Sequence, residues 1–483
     1  MRHNKLKKIP KIILFSGVLL LFSQSLSAYD FSFTAPEIGI GQPRTLFQCC
    51  HNPALLSSAY KQPFQYSRVS AWNRNNHYRR DFDPKSERDY DLSFSNFLIL
   101  TPRSTIASTV AYAHTNKIDM NRSLEKNFYD HYYAYSDTTI GDTKFAGPQL
   151  QVLYQHRIGK GLSAGAALDY AIERGLKDTY TRCETIVRDA TGTVGISYFN
   201  SDRNITAGVM GTYQNRQAKY EAVKELQDAL VNTYLGYYVY KPENPRSTNT
   251  KSDYRQSYRL GAHFERKAFL LDAMQLRLSY QFSNGETDVE TGSATKPKPR
   301  GYWVREQHDA QLSLAYLPAQ KPLGLELSHR FRWLSDWGRS GAYEVLVLEK
   351  EQLQQILRAT LYYRPNQEIV IQTGAEIGTI GDSYEEYTQA FIYDADRVLL
   401  GGFGEAEFRI NAVLDLQIGA AFSSYEPDFL WSTERFSITQ AYLGFTRLTE
   451  WARFGVGLEY SLITAKDIDM NNHQAGISFY YMH

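Results

Sequence analysis

The string Gly161-Leu162-Ser163-Ala164-Gly165 has the G-x-S-x-G spacing that can present a nucleophilic serine for acyl transfer. That chemistry needs a sharp strand-to-helix elbow, a histidine base and an orienting carboxylate. Here the string instead opens an alternating segment directly after the tight turn Gly159-Lys160-Gly161, which places Ser163 on a strand. His114, His156, His263 and His329 also fall in or near strands, and spacing alone assigns none of them a Ser or Asp partner. No enzymatic activity is expected. The three cysteines, Cys49, Cys50 and Cys183, form no CxxC and no Cys/His metal spacing. Adjacent cysteines do not readily bridge each other. One of the pair bonded to Cys183, or unbridged thiols buried in the lumen or in turns, are the two alternatives. Neither a metal nor a cofactor is expected. A net charge of +1 supplies no field to recruit nucleic acid.

The remaining chemistry is that of charge. Arg330 and Arg332 share one face of an alternating segment. Glu405, Glu407 and Arg409 share a face of another, with Arg409 set against the two glutamates, and Glu459 lies on a third. Such side chains can line a water-filled eyelet whose transverse field orients polar solutes. They can equally form ion pairs that only satisfy a wall, or pack against an inserted segment. Either use requires an enclosing scaffold.

Strict period-two alternation supplies one. Leu162, Ala164, Ala166, Leu168 and Tyr170 oppose Ser163, Gly165, Ala167 and Asp169. Met274, Leu276, Leu278, Tyr280 and Phe282 oppose Gln275, Arg277, Ser279 and Gln281, and Phe454, Val456, Leu458, Tyr460 and Leu462 oppose Arg453, Gly455, Gly457, Glu459 and Ser461. This is the pattern of half-buried strands. Tight turns, for example near residues 101–103, 159–161, 201–204 and 364–366, alternate with long polar stretches at 115–146, 174–189, 217–253, 284–305, 335–350 and 379–397. Short and long connections in alternation, with no apolar run able to form a membrane helix after residue 28, specify an all-β protein. The expected fold is a transmembrane antiparallel β-barrel of about 18 strands, with 14–16 as the alternative, and both termini periplasmic. A mean hydropathy of −0.44 is compatible with this, because every second strand residue faces a polar lumen.

The two chain ends agree with that destination. Arg2, His3, Lys5, Lys7, Lys8 and Lys11 precede the apolar run 12–22, and small residues lead to Ala28. Residues 1–28 read as a secretory signal peptide cut after Ala28 or Ser27. Residues 29–62 are irregular and rich in Pro and Gly, a plug or a periplasmic extension, and the barrel occupies 63–483. In the loop at 217–253, Tyr220, Val223, Leu226 and Leu230 have the spacing of an amphipathic helix that could fold over the mouth. At the C-terminus Ala475, Ile477, Phe479 and Tyr481 alternate with Gln474, Gly476, Ser478 and Tyr480. This strand is expected to close the barrel against one near Phe64 to Ala71.

Gln474, Gly476, Phe479 and Tyr481 resemble the terminal assembly signal of bacterial outer-membrane proteins, although Met482 and His483 follow the last aromatic residue. The resemblance implies the barrel-assembly machinery as a partner, outer-membrane lipid as the surroundings and a Gram-negative cell outer membrane as the location. His51-Asn52-Pro53-Ala54-Leu55-Leu56 resembles the Asn-Pro-Ala motif of long-chain fatty-acid channels and of type IX secretion barrels, with Leu55 where those families commonly carry Gly. Over its length the chain is similar to uncharacterised outer-membrane barrels of Bacteroidota. That likeness implies fold and location and no substrate. The expected function is a channel or porin-like path for small polar solutes. The alternative is a non-transporting barrel that scaffolds secretion or surface-protein partners through Tyr-rich loops such as 128–135 and 234–240. A mature chain of about 455 residues is short for a large barrel plus a separate globular plug.

Overall fold

A computed structural model describes residues 46–179, 181–222, 230–243, 250–293, 295–318, 321–366, 368–431, 433–449, 451–466 and 471–483. The signal peptide and the first half of the irregular N-terminal segment, through residue 45, lie outside the described residues. The chain is built from antiparallel strands in sequence order. Eighteen of them form one closed barrel, from Phe64–Asn75 round to Asn471–Met482. Two short strands, Val231–Leu235 and Val239–Glu243, make a hairpin within one connection.

Closure occurs where the sequence places it. Asn471–Met482 pairs antiparallel with Phe64–Asn75, from Tyr66 opposite Met482 to Asn75 opposite His473. The two residues beyond the expected stop extend this seam. His483 and Gln65 exchange both backbone hydrogen bonds at 2.9 Å, and His483 Nδ1 lies 2.6 Å from the Trp451 carbonyl oxygen.

Alternation decides which side meets lipid. Val194, Leu260 and Val209 keep 65, 62 and 58% of their surface on the outer face. Outward Tyr154 and Tyr198 lie near the rim of short turns, and Tyr170, Tyr213, Tyr258, Tyr280 and Tyr460 lie toward the other, as two aromatic girdles would. The wall is uneven. The strands at the seam are 12 or 13 residues long, whereas Tyr135–Arg157, Lys296–Tyr316 and Phe391–Asn411 have 23, 21 and 21.

Those tall strands correct the expected loops. Much of 115–146, 284–305, 335–350 and 379–397 is paired strand, and Met274–Ser293 and Lys296–Tyr316 run together almost to their turn. Above the apolar band both faces are polar, so period-two hydropathy disappears while backbone pairing continues. The expected helix is likewise reassigned in part. Tyr220 is a buried residue of the strand Ile205–Ala222, and Val223 and Leu226 lie outside the described residues. Nor is there a bridge between Cys50 and Cys183. Cys50 packs with Leu55 and Phe64, and Cys183 packs in another cluster with Tyr135 and Tyr220.

At the seam Trp72 lies opposite Gly476, and a Cβ at 476 would overlap the indole. Gly476→Val is therefore expected to abolish the heat-modifiable folded band on gels, and Trp72→Ala is expected to restore it. Failure of the second change to rescue would show that the glycine serves recognition and not packing.

Candidate functional site

The lumen is the candidate site, and segments of the chain itself enter it from both ends. At the short-turn rim, Leu46–Cys50, Pro53–Leu55 and Leu56–Ala59 form three brief helical turns inside the barrel. Asn52 anchors them and is fully buried. Its Oδ1 accepts from the Ala54 amide at 2.9 Å, and its Nδ2 donates to the Val209 carbonyl at 3.1 Å. The Ala54 carbonyl accepts from Gln155 Nε2 at 2.7 Å and from Ser197 Oγ at 3.0 Å. Close approach depends on two glycines. A Cβ at Gly195 would overlap the Asn52 side chain, and one at Gly165 would overlap the Pro53 and Ala54 backbone. The G-x-S-x-G string thus serves packing, since its last glycine seats the inserted segment. Leu46, Phe47, Cys50, Leu55 and Leu56 complete the fit against Phe64, Tyr66, Phe97 and Leu153.

The insertion is eccentric. Its contacts fall on strands from Phe64–Asn75 round to Met274–Ser293. The six sequence-derived lumen candidates lie on Leu323–Ser340, Phe391–Asn411 and Arg453–Ala465, the uncovered side. Arg330 and Arg332 converge on Asp309, at 2.9 and 2.8 Å. Arg330 points inward from mid-strand yet keeps 45% of its side-chain surface. An inward side chain that far from either rim is wetted from within. Inward-facing Arg259 on Thr250–Lys267 is likewise exposed. Arg409 extends from the same strand as Glu405 and Glu407, and it pairs with Asp415 across the turn at 3.2 Å. Glu459 faces inward opposite Gly476.

At the opposite rim, the connection 124–134 turns down into the barrel. Phe128 stacks on Phe82 at 3.7 Å, and Tyr234 of the loop hairpin packs edge-on to both rings. The hairpin reinforces the connection, with Tyr234 and Gly236 amides donating to the Ala134 and Tyr132 carbonyls. Lys177 and Asp137, both fully buried, pair at 2.8 Å at its base. The far end reaches the opposite wall. The Tyr132 hydroxyl donates to Asp336 Oδ2 at 2.6 Å, and Arg305 holds that carboxylate by two further bonds of 2.8 and 2.7 Å. The Tyr133 hydroxyl donates to the Arg339 carbonyl at 2.7 Å, its ring lying over Gly301 and Gly338. Tyr237 joins Tyr384 and Phe429 to extend the aromatic cover. The connection leaves the third strand of the barrel and fastens to the eleventh, nearly halfway round.

Charge is concentrated where this lid meets the wall. Glu125 Oε1 accepts from Lys251 Nζ and from the Tyr135 amide, each at 2.7 Å, and Lys251 also pairs with Asp253 at 2.9 Å. Burial pushes the Glu125 carboxyl up to about 7, with Lys251 opposing the rise. Burial and then the cations Lys251, Arg216, Arg255 and Arg305 hold His131 well below its ordinary range. Sequence spacing gave no sign of this cluster, because Asp253 lies more than a hundred residues from the loop. A Ser–His contact also exists, Ser104 Oγ to His156 Nδ1 at 2.9 Å, beside outward Tyr154. Among the described residues no carboxylate orients that histidine.

A family model described as a family of unknown function, DUF6850, matches residues 53–481. No curated protein matches the sequence. The ferric preacinetobactin receptor BauA from Acinetobacter baumannii is structurally similar over 87% of this chain and 80% of its own, at 8% identity and a TM-score of 0.48. The ferric yersiniabactin uptake receptor FyuA from Yersinia pestis is similar over 87 and 80%, at 9% identity and a TM-score of 0.46. The TodX monoaromatic hydrocarbon channel mutant deltaS2 is similar over 89 and 92%, at 11% identity and a TM-score of 0.34. These likenesses carry nothing about substrate.

Two outcomes follow for the closures. Tyr132→Phe removes a bond to a charged acceptor, a loss of roughly 1.5–3 kcal/mol. Trypsin cleavage after Lys126 is then expected to accelerate about tenfold or more if local opening governs it. In a Cys49→Ser background, Gly165→Val is expected to lift Pro53 and Ala54 off the wall. Maleimide would then label Cys50, which keeps only 2% of its surface in the native barrel.

Proposed function

The chain belongs to the DUF6850 family, a family of unknown function, and we propose that it is a gated conduit for small polar solutes across the outer membrane of a Gram-negative cell. The observation that carries this reading is a wetted, charge-lined lumen wall beside an inserted segment and beneath a lid fastened by side-chain bonds. Arg330, Arg332 and Asp309 sit on the side that the N-terminal insertion leaves uncovered. A solute would pass along this wall, its polar groups exchanging water for charged side chains. The lid sets the state of the path, since Tyr132 and Tyr133 are held across the lumen by bonds that loop movement can break. An open porin would not need this cover.

In the same reading the short-turn rim and both termini are periplasmic, residues 1–28 direct export, and the lid faces outward. The chain acts without catalysis. The scaffolding alternative loses much of its recognition surface, because Tyr132, Tyr133 and Tyr135 are buried in the lid and not displayed. Tyr238, Tyr240 and Tyr343 remain exposed on that rim for a partner.

Planar-bilayer recording tests the proposal. The native barrel is expected to be quiet or to open rarely, and Tyr132→Phe with Asp336→Ala to give frequent discrete openings. Arg330→Glu with Arg332→Glu, placed in that open background, is expected to move the reversal potential toward cation selectivity. Silence of every variant that still shows the folded band would reject the conduit.

A further inference from the structure

We propose that Glu125, His131 and Asp253 bind one divalent transition-metal ion, which fastens the 124–134 lid to the barrel wall. The geometry brings three donor atoms, one from each residue, within 4.8 Å of one another. Two of the residues belong to the lid, and Asp253 belongs to the wall strand Thr250–Lys267.

Hydrogen-bond satisfaction points to a missing electrophile. Glu125 and Asp253 are 1 and 5% exposed. Each gives one oxygen to Lys251, while Glu125 Oε2 and Asp253 Oδ1 have no donor. Glu125 Oε2 faces His131 Nε2 at 3.9 Å, a separation too long for a hydrogen bond. Leaving such a buried acceptor unmet is costly, and a cation shared by both oxygens and the imidazole removes the deficit. Lys251 then has the place of an outer-shell group. It holds each carboxylate by the oxygen that does not ligate.

The donor set narrows the ion. One imidazole nitrogen and two carboxylate oxygens suit zinc, cobalt, nickel or copper, whereas magnesium and calcium take oxygen alone. His131 is kept unprotonated by burial and its cationic neighbours, so a ring lone pair is available. Those same neighbours, Lys251, Arg216, Arg255 and Arg305, oppose an added cation. Asp336 and Asp189 offset them in part, Asp336 bound to Arg305 and Asp189 to Gln214. The expected affinity is therefore moderate. The site stands independently of the conduit reading, and only its use as a gate latch rests on that reading.

Calorimetry on the full-length, chelator-stripped barrel in detergent, titrated with zinc and with cobalt, tests the site. One ion per chain is expected, with cobalt giving a visible d–d absorption band and magnesium no heat. His131→Ala and Asp253→Asn should each weaken binding by roughly tenfold or more, with the folded band on gels confirming that the barrel is intact. Absence of binding, or binding unchanged in folded His131→Ala, would overturn the proposal. Zinc should also slow trypsin cleavage after Lys126 in the native chain and leave His131→Ala unaffected. Binding without that protection would overturn the latch. Conductance is not part of this readout, so failure of the metal site and failure of the conduit are separable.

Discussion

Closure of the sheet is the constraint on which everything else depends. Hydrocarbon offers no partner to a backbone amide or carbonyl, so a sheet in lipid cannot keep an open edge. The pairing of Asn471–Met482 with Phe64–Asn75 removes the two edges that eighteen strands would otherwise leave. It also sets the parity of each strand and hence which residues meet water. Arg330, Glu405 and Glu459 are lumenal only because closure turns their neighbours outward. The inserted segment and the lid are secondary to it, since both lean on a wall that exists only once the ring is complete.

Much of this was legible in the chain. The terminal alternation from Gln474 to Tyr481 identified the closing strand and its partner, because a one-residue slip would reverse every side chain. About eight tight turns and about nine longer connections between alternating segments led to the strand number. Legibility failed where lipid stops being the solvent. The upper portions of Tyr135–Arg157 and Lys296–Tyr316 look like polar loops because neither face needs to be apolar there. The lid was hidden for another reason. Its tyrosines resemble exposed contact residues in sequence, and only the location of Asp336, Gly301 and Gly338 on the far wall reveals that they are buried. The pairing of Arg409 with Asp415 was not visible, because it depends on the register of the two strands across their turn.

The lumen holds charge in two different ways. Around Asp309 the pairs are partly wet, and their net worth is small because water screens them. They cost little to disturb. Around Lys177 and Lys251 the pairs are dry, and losing one partner there strands a buried charge. Permissive pairs thus line the uncovered wall, and demanding ones lie at the base of the lid.

The bond between Tyr132 and Asp336 joins residues 204 positions apart. That separation imposes an order in time. A contact of such length waits for the loop between its ends to be organised, and here that loop includes seven barrel strands and part of an eighth. The cover can therefore come down only after that arc of the wall has assembled. In each newly made molecule, pairing of these strands thus precedes closure of the mouth above them.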